Sequence, residues 1–139
     1  MASVLDATEK AVELDVLRGL AGAQVEGEPD LIVELIDLYA EDSPRRLDAI
    51  RGALAAGDLE ALRRAAHGLK GSSASLGARR VEMLCEKLER LSGGEWRQEG
   101  EILLARLGRE LARAGAAFAY ERSRRLRGAG LEQLNVLDY

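Results

Sequence analysis

The chain has 139 residues, 47% of them hydrophobic and 4% aromatic, and a formal net charge of −4. This length suits one domain with a substantial core and is too short for two ordinary domains. Basic and acidic residues are interspersed, so the charge pattern of a nucleic-acid-binding protein is absent and no nucleic acid is expected as a partner. No apolar segment approaches the roughly 20 residues that span a bilayer, and the first residues do not resemble a signal peptide. We therefore expect a cytoplasmic protein without membrane contact.

Leu and Ala dominate the apolar residues and recur at helical spacing, which predicts an all-α fold. Residues 14–22 predict a short amphipathic helix closed by Gly22, and residues 31–42 predict a second helix. Ser43 precedes Pro44, and this pair is typical of an N-cap followed by the first helical residue. We therefore predict that a separate helix begins at Pro44 and ends at Gly57.

Three further segments complete the predicted architecture. Asp58 is the predicted N-cap of a helix whose apolar side is formed by Leu62, Ala66, Leu69, Ser73 and Leu76. Gly77 ends this helix, and the following one places Val81, Leu84, Cys85, Leu88 and Leu91 on one side. The last pattern begins near Glu95 and continues to Phe118. The sequence predicts an antiparallel four-helix bundle with a short extra N-terminal helix over residues 1–119, and residues 120–139 as a tail that is a helix end or a docked segment.

His67 is the single histidine of the chain, and its position on the predicted helix is informative. At about 100° per residue, His67 lies well away from the apolar side of its helix, so its ring is expected to be exposed. The neighbours that share its face, at three, four and seven residues' distance, are Glu60, Arg63, Arg64, Lys70, Gly71 and Ala74.

This combination of residue types favours phosphoryl chemistry. Imidazole is a good nucleophile near neutral pH, and neighbouring cations disfavour its protonated form. The same cations would stabilise a phosphoryl group on the ring, with Lys70 one turn away. Small residues after the histidine leave room for the backbone of another protein. Cys85 is predicted to be a buried structural thiol.

The segment "LRRAAHGLKGSSASLGARRVEMLCEKLE", residues 62–89, resembles the signature of histidine-containing phosphotransfer (HPt) domains. The preceding helices and the "AAGD" turn are also similar to this family, and the resemblance extends over residues 12–118. It implies that His67 is phosphorylated, that Lys70 contacts the phosphate, and that Gly71 permits close approach. Ser73 and Ala74 match the small positions, and Gly77 matches the glycine that ends the helix. Arg63 and Arg64 are added from the helical face alone. Together with Ser73, Ala74 and Gly77, they are predicted to form the docking surface or the surroundings of the phosphate.

The resemblance further implies that receiver domains and a hybrid histidine kinase are the partners. It also implies that the receiver supplies Mg²⁺, so the chain needs no cofactor of its own. The sequence contains no glycine-rich phosphate loop, so no kinase or ATP site is expected. A bundle of this size can close its core as a monomer.

The sequence also bears on three alternatives to phosphotransfer. A scaffold or inhibitor that binds a receiver or kinase without carrying phosphate is disfavoured by His67 and Lys70 at the family spacing. A metal-binding bundle would need paired Glu-x-x-His motifs, which one histidine cannot provide. A hydrolase would need a nucleophile at a recognisable turn, whereas Ser72 and Ser73 lie in mid-helix.

Overall fold

The computed structural model describes the backbone of residues 11–137 and the side chains of residues 11–129. All regular structure in this part is helical: α1 (Leu14–Gly19), a 3-10 turn (Leu20–Ala23), α2 (Leu31–Ala56), α3 (Leu59–Leu76), α4 (Arg79–Glu89) and α5 (Trp96–Leu137). No helix in residues 11–137 combines the length and the apolar character needed to cross a membrane.

The ends of α2 and α3 follow the predicted capping residues. Asp58 accepts a hydrogen bond from the Ala61 backbone N–H at 3.0 Å, as expected for an N-cap. Gly57 and Gly77 end α2 and α3 with φ angles of 70° and 85°, in the left-handed region that favours glycine. The two-residue links at 57–58 and 77–78 make neighbouring helices antiparallel.

The prediction of a helix start at Ser43 is wrong, because α2 runs without interruption from Leu31 to Ala56 with Pro44 inside it. Ser43 is buried on the same side of α2 as Tyr39 and Ile50. The apolar side therefore continues across the proline, and burial of both halves against one core outweighs the single backbone N–H that Pro44 lacks. The predicted second and third helices are one element.

Four long helices form the predicted bundle, since α2 packs against α3 and α5, and α4 packs against α3 and α5. The core includes the predicted apolar sides of α3, α4 and α5, with Leu62, Leu69, Leu88, Leu107 and Phe118 almost completely buried. Tyr39 meets Phe118 edge to face, with ring centroids 5.3 Å apart. Cys85 is fully buried, as predicted, and burial raises the pKa of its thiol to about 12.

Helix α5 continues past residue 119 and is joined there to α1 and α2 by charged side chains. Glu121 is fully buried, and its carboxylate oxygens lie 3.0 Å from Arg18 Nη2 and 2.9 Å from Arg124 Nη2. Arg125 contacts Asp30, the N-cap of α2, at 2.8 Å. These ion pairs replace the apolar face that the sequence loses after Phe118. Of the predicted tail 120–139, the side chains of residues 130–139 lie outside the described residues. All of residues 1–10, on which the signal-peptide interpretation depends, also lie outside them.

Candidate functional site

His67 lies on the solvent side of α3, as predicted, and 72% of its side chain is exposed. Its neighbours Ala66 and Leu69 are fully buried, and they fix the rotation of α3 against the core. Burial of the opposite side of the helix therefore holds the imidazole at the surface.

Glu89, near the end of α4, contacts the ring and was missed by the sequence analysis. Its Oε2 lies 3.1 Å from His67 Nδ1. A carboxylate can only accept a hydrogen bond, so this contact assigns the proton of neutral imidazole to Nδ1. The lone pair is then on Nε2, the nitrogen that has no contact with Glu89.

The same carboxylate also positions Lys70. Its Oε1 lies 2.7 Å from Lys70 Nζ, so one carboxylate contacts both predicted site residues. Burial raises the pKa of the Glu89 carboxyl, but hydrogen bonds from Lys70 and His67 outweigh burial and leave it below its usual value. The hydrogen bond to Glu89 raises the pKa of Lys70, so the ammonium remains charged beside the imidazole.

Next to His67 in the sequence, α3 carries small residues, and one arginine of α2 lies against them. A Cβ at Gly71 would meet no atom within 4 Å, so the space beside the ring is open. A Cβ at Gly68 would overlap the guanidinium of Arg46, which pairs with Asp42. The absence of a side chain at Gly68 therefore lets a second cation, not predicted from the sequence, lie over α3 next to His67.

The two arginines that were predicted from the helical face alone, Arg63 and Arg64, differ in their contacts. Arg63 reaches the chain just after α4, where its Nη2 donates to the Leu91 carbonyl at 2.7 Å. Its Nη1 lies 3.1 Å from Glu60 Oε1 on its own helix. Arg64 is exposed and has no carboxylate partner among residues 11–129. The cations predicted beside His67 are thus partly neutralised, Arg63 by Glu60 and Lys70 by Glu89. Arg64 is the one among them without a carboxylate partner in residues 11–129.

Two residues predicted to lie around the phosphate or docking surface are not on it. Ser73 is fully buried, and its hydroxyl lies 2.7 Å from the Tyr39 hydroxyl, which joins α3 to α2. Gly77 is buried against the N-terminal segment, because its carbonyl accepts a hydrogen bond from the Glu13 N–H at 2.8 Å. Both are required by packing. Ala74 is half-buried on the His67 side of α3.

Comparison with known proteins shows the family to which this sequence is similar. A model of the Hpt domain family matches residues 34–118. Histidine-containing phosphotransfer protein 2 of Arabidopsis thaliana is 35% identical over 74 residues, which are 51% of this chain and 47% of the relative. The chain thus spans about half the length of this relative.

Two solved structures share the fold. The crystal structure of histidine-containing phosphotransfer protein B from Pseudomonas aeruginosa PAO1 is 33% identical, with a TM-score of 0.68 over 82% of this chain and 96% of the other. The HPT domain of a sensor hybrid histidine kinase from Shewanella has a TM-score of 0.65 at 20% identity, over 83% of this chain and 96% of the other. By its sequence match and its helical bundle, this chain belongs to the Hpt domain family.

Proposed function

We propose that the chain is a phosphoryl carrier in a multistep phosphorelay. His67 accepts a phosphoryl group from the aspartyl phosphate of one receiver domain and passes it to the aspartate of another. The observation that carries this proposal is the exposed imidazole whose Nδ1 faces Glu89 at 3.1 Å and whose Nε2 is left as the nucleophile. Membership of the Hpt family and the names of the similar proteins support it.

In the forward step, the Nε2 lone pair forms a bond to phosphorus while the bond between phosphorus and the aspartate oxygen breaks. The aspartate leaves as a carboxylate, and the ring, which keeps its Nδ1 proton, becomes cationic. The Glu89 carboxylate faces that proton and stabilises the developing positive charge. Transfer to a second receiver reverses these bond changes, so the same contact serves both directions.

Lys70 stabilises the phosphoryl group during its transfer. The phosphoryl group carries its charge on its outer oxygens, and transfer depends mainly on positioning and on neutralising these oxygens. Lys70 is held one turn from His67 by Glu89, within reach of a phosphate oxygen. The receiver domain contributes its own Mg²⁺, and this chain contributes the nucleophile, Lys70 and an open surface at Gly71. The receiver domain that donates the phosphoryl group belongs to a hybrid histidine kinase. The chain acts in the cytoplasm as a monomer.

Direct labelling tests the proposal. The purified full chain is incubated with a receiver domain phosphorylated on its aspartate with a radioactive phosphoryl group, and the label on this chain is tested for stability in acid and alkali. We expect an acid-labile, alkali-stable label on the native chain and none on the His67→Gln variant. Binding of a receiver without any label on the native chain would instead support the scaffold alternative.

Replacement of Gly71 by alanine is expected to stabilise the protein and slow the transfer. Alanine favours a helix over glycine by about 1 kcal/mol, and the new methyl group has room. The methyl group also occupies the space beside His67 through which a receiver approaches, so transfer should slow by about 10-fold or more. Urea unfolding and single-turnover labelling measure the two effects.

Gly52→Ala provides a matched control for that substitution, because Gly52 is also an exposed helical glycine with open space around it. It should give a similar gain in stability and an unchanged transfer rate. Equal transfer rates in Gly71→Ala and the native chain would contradict the assigned role of Gly71.

Replacement of Glu89 by glutamine is expected to shift the imidazole tautomer and slow the transfer about 10-fold, because a charge-assisted hydrogen bond is exchanged for a neutral one. The ¹⁵N chemical shifts of the ring should report protonation of Nδ1 in the native chain and a mixed population in the variant. Glu86→Gln, which removes a nearby carboxylate paired with Arg90, is the control. Unchanged ring shifts in Glu89→Gln would refute the tautomer assignment.

A further inference from the structure

The cations of the described chain are distributed unevenly between paired and unpaired states. Most arginines in residues 11–129 are ion-paired with a carboxylate. Four cations that are not so paired line a single cleft between α4 and α5, namely Arg80, Lys87, Arg106 and Arg109. Clustered charges of one sign repel one another, and the chain has more carboxylates than cations with which they could have been paired. Four unpaired cations in one cleft therefore indicate a ligand of opposite charge.

The cleft has the chemistry of an anion site. Its volume is about 340 Å³, and the remaining lining residues are Met83, Leu84 and Glu110. Both carboxylate oxygens of Glu110 accept from Arg113 Nη1, at 3.0 and 3.2 Å. This carboxylate is therefore already paired with a cation outside the lining of the cleft. The guanidinium groups of Arg80, Arg106 and Arg109 line the cleft. A guanidinium can bind a carboxylate in a bidentate geometry, which a lysine ammonium cannot.

Apolar side chains at the edges of the cleft distinguish between possible anions. Met83 is 57% exposed, and Ile102, one turn before Arg106 on the same side of α5, is 64% exposed. A small inorganic anion would leave both side chains in water, whereas a protein segment with carboxylates and apolar residues would cover them. We infer that the α4–α5 cleft binds an acidic amphipathic segment of a partner protein.

This surface is separate from the surface around His67. Arg80 lies nine residues before Glu89, which places it on the opposite side of α4 at about 100° per residue. A partner could therefore occupy the cleft while a receiver domain docks at His67. The inference does not depend on phosphotransfer, so labelling of His67 and binding in the cleft can succeed or fail independently.

The test is a titration of the ¹⁵N-labelled full chain with a synthetic helical peptide that carries Glu and Asp on one side and Leu on the other. The same peptide with Gln and Asn in place of the acids is the control ligand. Backbone amide shifts are expected to concentrate around the cleft and to be weak with the amide peptide. Arg106→Glu combined with Arg109→Glu should weaken binding of the acidic peptide about 10-fold or more.

A second double variant, Arg51→Glu with Arg127→Glu, makes the same change in net charge outside the cleft and should change the affinity by less than about 2-fold, because exposed distant charges are screened. Shifts spread over all basic surfaces, or equal effects of the two double variants, would overturn the inference. Tighter binding of tripolyphosphate than of the acidic peptide in the cleft would assign the site to a small polyanion. Shifts that follow protein concentration without peptide would assign it to a second copy of the chain.

Discussion

Replacing Lys70 by alanine is expected to slow phosphoryl transfer to His67 by about 100-fold, while the helical bundle remains folded. Removal of one preorganised group that stabilises transition-state charge typically has an effect of this size. Lys70 is suited to that role because Glu89 holds its ammonium 2.7 Å away and raises its pKa, so that it stays charged and close to the ring. The side chain is partly exposed, so its loss leaves no cavity in the core.

Single-turnover labelling from a phosphorylated receiver measures the change in rate, and circular dichroism verifies the fold. Lys70→Arg retains the charge and should recover part of the rate. Arg64→Ala is the matched control, because Arg64 is an exposed cation on the same helix without a carboxylate partner. Its rate should fall by less than about 5-fold. Equal losses in Lys70→Ala and Arg64→Ala would show that general positive charge, and not Lys70, serves the reaction.

Replacing Glu121 by glutamine is expected to lower the free energy of unfolding at neutral pH by about 3 kcal/mol. Hydrogen bonds from Arg124 and Arg18 hold the pKa of the buried Glu121 carboxyl at about 2, against an ordinary value of 4.5. Each pKa unit corresponds to about 1.4 kcal/mol of preference for the charged form in the folded state. Glutamine keeps the shape, but it carries no charge and offers a single acceptor oxygen to two guanidinium groups that now bond to both carboxylate oxygens.

The pH dependence has a definite sign, because the folded chain depresses this pKa below its unfolded value. The stabilisation is complete above pH 4.5 and is lost as the pH falls toward about 2. The difference in unfolding free energy between the native chain and Glu121→Gln should therefore narrow over this interval. Urea unfolding at several pH values measures it.

Glu41→Gln is the control for that experiment, since Glu41 forms an exposed pair with Arg45 one turn away. Its effect at neutral pH should stay below about 0.5 kcal/mol. A difference between the native chain and Glu121→Gln that stays constant as the pH falls would show that the stabilisation comes from packing and not from charge.

The elements that depend on local sequence were predictable. Asp58 and Gly57 act within one turn of the chain, and the apolar spacing around Leu62 and Leu69 fixes which side of α3 is buried. The exposure of His67 follows from that rotation. The break at Ser43 was wrong because local capping chemistry was given more weight than the apolar spacing that continues through Pro44.

The contacts between neighbouring helices were not predicted, because they depend on the number of residues between each side chain and the turn that joins the two helices. Arg46 and Gly68 each lie eleven residues from Gly57, so an antiparallel hairpin brings them side by side. His67 lies ten residues before Gly77 and Glu89 twelve after it, which pairs them in the same way. Counting from the turns could have suggested both contacts, although the choice of Glu89 over Glu86 depends on the rotation of α4.

The buried Glu121 also bears on where the cooperative folding unit ends. The family match stops at residue 118, yet α1 is anchored by Arg18 to a carboxylate three positions beyond that limit. Amide hydrogen exchange should accordingly show protection that persists through this part of α5 and is shared with α1. A fragment cut at the end of the family match would lose the partner of Arg18, and the slow exchange of α1 would be lost with it.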